Sequence, residues 1–101
     1  MPEMRFRIRW PNGVEESCYS PSLVVKDFLV PGESYRLADF VERSRAALTL
    51  ASDRVQIRYG SRCSRAAAQL ARIETAAASF AATADACVTV NAFDEWGGGA
   101  A

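Results

Sequence analysis

Apolar and polar positions alternate along this chain with two different periods. From Met4 to Trp10, Phe6, Ile8 and Trp10 alternate with Arg5, Arg7 and Arg9; a period of two predicts a half-buried strand. Pro11-Asn12-Gly13 follows, with proline suited to the first turn position and glycine to the left-handed one. A three-residue hairpin loop with a bulge at Gly13 is therefore expected. It sets Val14 opposite Trp10, Glu15 opposite Arg9 and Ser17 opposite Arg7, with Cys18 on the apolar face beside Phe6. From Leu37 to Tyr59 the period changes. Leu37, Phe40, Val41, Ser44, Ala47, Leu48, Ala51 and Val55 recur at helical spacing, with Asp39, Glu42, Arg43, Arg45, Asp53, Gln56 and Arg58 between them. Gly60 can turn left-handed just past that helix end.

Shorter signals fill the remainder. Ser20-Pro21-Ser22 reads as a helix start, with Ser20 as N-cap and a short helix from Pro21 to about Leu29, broken by Pro31-Gly32. Residues 33–36 should be extended. Ser61-Arg62-Cys63-Ser64 opens another helix, carried by Ala66, Ala67, Leu70, Ile73, Ala77 and Phe80 to about Ala81. The short connection makes the two long helices an antiparallel hairpin. Cys87–Phe93 alternates again, with Val88, Val90 and Ala92 on one face and Cys87, Thr89, Asn91 and Phe93 on the other. The expected fold is α+β: a three-stranded sheet of order 2-1-3, covered on one face by the short helix and the αα-hairpin. Residues 1–93 form one domain and residues 94–101, without a period, a flexible tail.

Composition narrows the chemistry. Half of the 101 residues are hydrophobic and 24% charged, as in ordinary globular chains. Twelve basic residues balance twelve acidic ones, and there is no histidine, which removes the commonest metal ligand and general base. No apolar run approaches the roughly 18 residues of a spanning helix, and the N-terminus has no signal-peptide core, so a cytoplasmic protein is expected. Cys18, Cys63 and Cys87 are an odd number without a C-x-x-C pair, and read as free thiols. No metal site or cofactor motif is visible.

RWPNG, CYSPSLVVKDFL, PGESYRLADFV, ALTLASDRV and YGSRC together resemble a family of small bacterial nitrogen-starvation response proteins. The resemblance runs from about Met1 to Ile73 and, more weakly, through the last strand. It implies a nitrogen-limitation context and a conserved gene cluster with a nitrilase-type carbon–nitrogen hydrolase, a radical enzyme, an acetyltransferase and a flavoprotein. It carries over no catalytic residue. The chain departs from the family pattern at Arg36, where members carry proline, and at Ser61-Arg62, where they carry Phe-Ala; the second change sets a charge beside Cys63.

The candidate site residues fall in two groups. Cys63 is expected in the first turn of its helix, where free N–H groups, the helix dipole, Arg62 and Arg65 would favour a thiolate, with Tyr59 nearby. Against this, no histidine can serve as its base, and a small packed residue is the simpler reading. Arg5, Arg7 and Arg9, with Glu15, Ser17, Tyr19, Thr89, Asn91 and Phe93, are expected on the open sheet face. That face could bind an anion or a second subunit, or be merely solvated, with an Arg9–Glu15 cross-strand pair.

Three further features read as structural. Between positions 36 and 72 eight basic residues face three acidic ones, but they are spread around two helices without a stacking motif, so a solvated face outweighs nucleic-acid binding. Glu15 and Glu16 point to opposite strand faces and cannot form a dyad. Gly97-Gly98-Gly99 reads as a linker-like tail. The function expected is a non-enzymatic accessory or interaction protein of nitrogen starvation, as a homodimer or a partner of an enzyme from that cluster. The alternative is a small enzyme or ligand-binding module acting on a nitrogen-containing molecule, with Cys63 as reactive thiol. Sequence leaves the ligand and the partner open.

Overall fold

The computed structural model describes residues 2–61 and 63–96. Elements follow in the order β1 (Glu3–Arg9), β2 (Glu15–Ser20), a 3-10 helix (Leu23–Asp27), β3 (Ser34–Arg36), α1 (Leu37–Tyr59), α2 (Ser64–Ala78) and β4 (Cys87–Trp96). The fold is α+β as expected, but the sheet has four antiparallel strands in the order β2-β1-β4-β3, not three.

The hairpin forms in the expected register, Arg9 opposite Glu15, Arg7 opposite Ser17 and Phe6 opposite Cys18. The Gly13 N–H donates to the Trp10 carbonyl at 2.8 Å, and Gly13 takes φ 86°, the left-handed residue that a three-residue loop requires. Met4, Phe6, Ile8 and Trp10 are all buried. They meet Phe40, Ala47 and Leu48 of α1, Ile73 and Ala77 of α2, and Val88 and Val90 of β4 in one core. Both helices therefore cover the same side of the sheet. Trp10 stacks on Phe80 (centroids 5.9 Å) and meets Phe40 edge-on (5.8 Å), while its indole N–H donates to Glu16 at 2.9 Å.

α1 matches its sequence pattern from end to end. Its first N–H, at Leu37, donates to the Ala86 carbonyl, and Gly60 closes it at φ 85° with its N–H on the Gln56 carbonyl. Arg45 pairs with Glu74 at 2.8 Å. Near the junction Leu48 and Ser52 share a cavity with Leu70 and Ala66. Rising numbers on one helix match falling numbers on the other, so the two run antiparallel.

The strand that the sequence pattern does not show is β3. It has only three residues and too short a run for a period, yet Tyr35 lies opposite Val88, and the Gly32 N–H and Glu33 carbonyl extend the pairing to Val90. β4 departs from strict alternation. Arg7 pairs with Ala92 but Ile8 with Val90, leaving Asn91 as a bulge. Beyond it the faces exchange: Phe93 comes opposite Phe6 and packs on the core, not on the arginine face where simple alternation places it. The pairing continues, so residues 94–96, expected in a tail, are strand opposite Arg5, Met4 and Glu3; residues 97–101, the rest of that expected tail, lie outside the described residues.

One helix start and one helix end also shift. Ser22, not Ser20, caps the short helix: its hydroxyl accepts from the Val24 N–H, while Ser20 braces the turn through the Ser22 N–H and carbonyl. The element is a 3-10 helix and shorter than the expected Pro21–Leu29. α2 ends at Ala78 and passes into i→i+3 turns through Thr83.

Truncating Phe40 to alanine should cost about 3–5 kcal/mol, whereas Gly60→Ala, with no atom within 4 Å of the added methyl, should cost only the left-handed penalty of about 1–2 kcal/mol. Urea midpoints of the two variants check this order.

Candidate functional site

The arginine row of β1 lies on the sheet face away from the helices, and its members are engaged. Arg7 pairs with Asp94 at 3.1 Å and Arg9 with Glu15 at 3.8 Å. Asn91 donates to the same Glu15 at 2.9 Å, and Arg5 donates to the Ser17 carbonyl at 3.4 Å. These pairs are half exposed and each contributes no more than about 1 kcal/mol, but together they set an acidic group beside Arg7 and Arg9. An anion arriving here would have to displace carboxylates already in place.

Tyr19 shares that side of the sheet by register but is not exposed on it. It lies opposite Arg5 in the register but is buried, because α2 packs along β2, the sheet edge. Its backbone N–H, turned away from β1, donates to Gln69 Oε1 at 2.8 Å. That contact covers an edge donor which could otherwise pair with another strand. The Arg65 guanidinium sits 3.8 Å over the Tyr19 ring. The phenol donates to Glu3 at 3.0 Å, and Arg65 approaches the same carboxylate at 3.7 Å. Burial, then the hydrogen bond to Glu3, push the Tyr19 phenol well above its ordinary range.

Cys63 is the N-cap residue of α2, with extended backbone (φ −81°, ψ 109°) and no side-chain capping bond; it is not within the first turn. The structure does bring it to a junction. It lines two cavities, one of about 310 Å³ between α1 and α2, with Leu48, Ser52, Ala66 and Leu70, and one of about 340 Å³ with Glu3, Tyr19, Tyr59 and Arg65. So Cys63, Tyr59, Tyr19 and Arg65 meet around the second cavity, while Arg5, Arg7 and Arg9 do not join them. Arg62, the remaining candidate, lies outside the described residues. The first cavity exists because the facing positions carry small side chains, Ser52 against Ala66 and Ala67, which cannot bridge the two helix surfaces. Sequence reading passed over Ser52, although it stands one turn beyond Leu48 on the buried stripe. It also passed over Glu3 and Gln69, whose roles depend on contacts distant in sequence.

The three cysteines are free thiols in graded settings: Cys18 buried, Cys63 partly exposed, Cys87 exposed. Burial, then the nearby Glu16, push the Cys18 thiol from 9.0 up to about 12. Among the described residues no three of Cys, Asp and Glu gather to hold a metal ion, and no helix is long and apolar enough to cross a membrane.

A four-stranded antiparallel sheet with helices on one side, and cavities at the helix junction, defines a small α+β protein of the sheet-and-helix-hairpin kind. Residues 5–93 match the family described as nitrogen starvation-induced protein NitG, and the chain belongs to that family. No curated protein and no solved structure matches the chain.

Thiol titration of the native protein at neutral pH should label Cys63 and Cys87 and spare Cys18, which should react only on unfolding. The fold favours the neutral Cys18 thiol, so that contribution is complete below pH 9.0 and is lost as pH rises towards about 12. Urea midpoints measured across that window should fall, and fall less in Cys18→Ala.

Proposed function

We propose that the protein is a non-enzymatic accessory component of the nitrogen-starvation response that acts by contact with another protein, either a second copy of itself or an enzyme of the same gene cluster. The observation that carries this reading is the outer end of α1. Over Asp53–Tyr59 no side chain is fully buried, yet Ile57 is 87% exposed and Tyr59 60%, with Leu50 partly exposed two turns earlier. Burying an isoleucine side chain is favourable by about 1.5–3 kcal/mol; a helix that overhangs its own core with such residues presents a ready contact surface.

The chemistry around Cys63 supports the same direction. Among the described residues the titratable neighbours lining its cavities are Glu3, Tyr19, Tyr59 and Arg65; hydrogen bonding lowers the Tyr59 phenol, which favours the second reading below. Glu3 is already held by the Tyr19 hydroxyl and Arg65, and the raised Tyr19 phenol is a poor base at neutral pH. A nucleophilic thiol needs a partner to take its proton. The second reading, a small enzyme or ligand-binding module with Cys63 as reactive thiol, draws on the position of Cys63 on both cavities.

Light scattering of the purified chain, together with tagged-chain isolation from nitrogen-starved cells, tests the first reading. A dimer, or a stoichiometric complex with a cluster enzyme, should form and be lost in Ile57→Asp. A strict monomer that forms no such complex would contradict it. For the second reading, the alkylation rate of Cys63 against pH is the check. A rate that follows an ordinary free thiol leaves that reading without support, and a thiolate persisting well below that range favours it.

A further inference from the structure

We infer that the outer face of α1 is a docking site for an acidic amphipathic helix of another protein, and that a second copy of this chain does not fit it. The inference rests on the contact reading above and narrows it to one kind of partner.

The face has a length and a direction. Ala46, Leu50 and Ile57 follow at i, i+4 and i+11, with Arg54 between the last two, so all four lie on one side of α1. That side is half a turn round from Ser44, Leu48 and Ala51, which are buried. All four are exposed, Ile57 most of all at 87%. Eleven residues of helix rise about 16 Å, so the apolar positions make a seam along the axis. A second helix laid along that seam matches its spacing.

Charge decides what the second helix carries. Arg7, Arg9, Arg45 and Arg72 each pair with a carboxylate of this chain. Arg54 and Arg58, on either side of Ile57, form no ion pair among the described residues, and Arg58 lies 5.8 Å over the Tyr59 ring. Asp53 is the sole carboxylate between positions 43 and 73 and has an interaction of its own. A second copy laid on this face would bring two pairs of arginines together with no further carboxylate to meet them. Acidic side chains along the flanks of a partner helix meet both guanidiniums, while its apolar seam covers Leu50 and Ile57. Two guanidiniums and two large apolar side chains are too few to hold a chain of zero net charge on an anionic membrane.

Two capped three-heptad peptides with leucine along one seam test this, one flanked by glutamate and the other by lysine. The chain alone should sediment as a monomer. The glutamate peptide should bind one to one, about tenfold or more tighter than the lysine peptide, and weaken steeply between about 0.05 and about 0.5 M salt. Ile57→Asp should abolish binding, Arg54→Lys with Arg58→Lys should keep it, and Arg54→Glu with Arg58→Glu should reverse the preference between the peptides. These positions are exposed, and unchanged circular dichroism checks that the variants fold. A dimer that dissociates in Ile57→Asp would overturn the inference and leave the contact reading standing. So would a complex from nitrogen-starved cells that survives the paired glutamate substitutions but is lost in Ile57→Asp. Equal binding of the two peptides, or tighter binding to phosphatidylglycerol vesicles than to the glutamate peptide, would also overturn it. A chain that binds neither peptide and forms no complex in cells contradicts the contact reading and this inference together.

Discussion

Everything in this molecule is referred to one face of β1. Met4, Phe6, Ile8 and Trp10 are each between 0 and 4% exposed, and burying four such side chains is favourable by several kcal/mol in sum, at about 1.5–3 kcal/mol apiece for the aliphatic and aromatic ones. β1 pairs with β2 on one side and β4 on the other, so its pleat decides which residues of both neighbours face the helices. A shift of one residue would send four core side chains to water and three arginines inward. The Pro11-Asn12-Gly13 turn prevents that shift on the β2 side. On the β4 side the bulge at Asn91 re-sets the alternation so that both Val90 and Phe93 reach the core.

Local rules recovered what local rules determine. The hairpin register, the extent of α1 and its closure at Gly60 each follow from a few adjacent residues. Features that depend on partners far along the chain did not show. β3 is a strand only because Val88 and Val90 lie beside it. The bulge in β4 is forced by what β1 and the core need, since CVTVNAF by itself alternates cleanly. Tyr19 follows strand periodicity in its pairing with Arg5 but is buried by α2, which arrives fifty residues later through Gln69. The cap at Ser22 was missed for a subtler reason. Two serines flank Pro21, and both take part, but the hydroxyl that receives a helical N–H belongs to the second.

The candidate chemistry divides in the same way. Charge is the most conspicuous feature of the sequence, and the structure spends much of it internally, Arg7 on Asp94, Arg9 on Glu15, Arg45 on Glu74 and Arg72 on Glu16. The apolar features left open are the inconspicuous ones: an exposed isoleucine at the end of α1 and a space between two helices. A cavity is a property of a pair of surfaces, so neither Ser52 nor Ala66 announces it alone. Cys63 was visible as a residue of interest, but its place as the shared wall of two cavities required the turn between α1 and α2 to be known.

Native-state hydrogen exchange tests the central role of β1 most directly. The amides of β1 should exchange only through global unfolding, with the same free energy that denaturant titration gives, while residues 53–59 of α1 exchange through local openings of much lower energy. β1 amides that exchange well below the global free energy, with the helices still protected, would contradict the account.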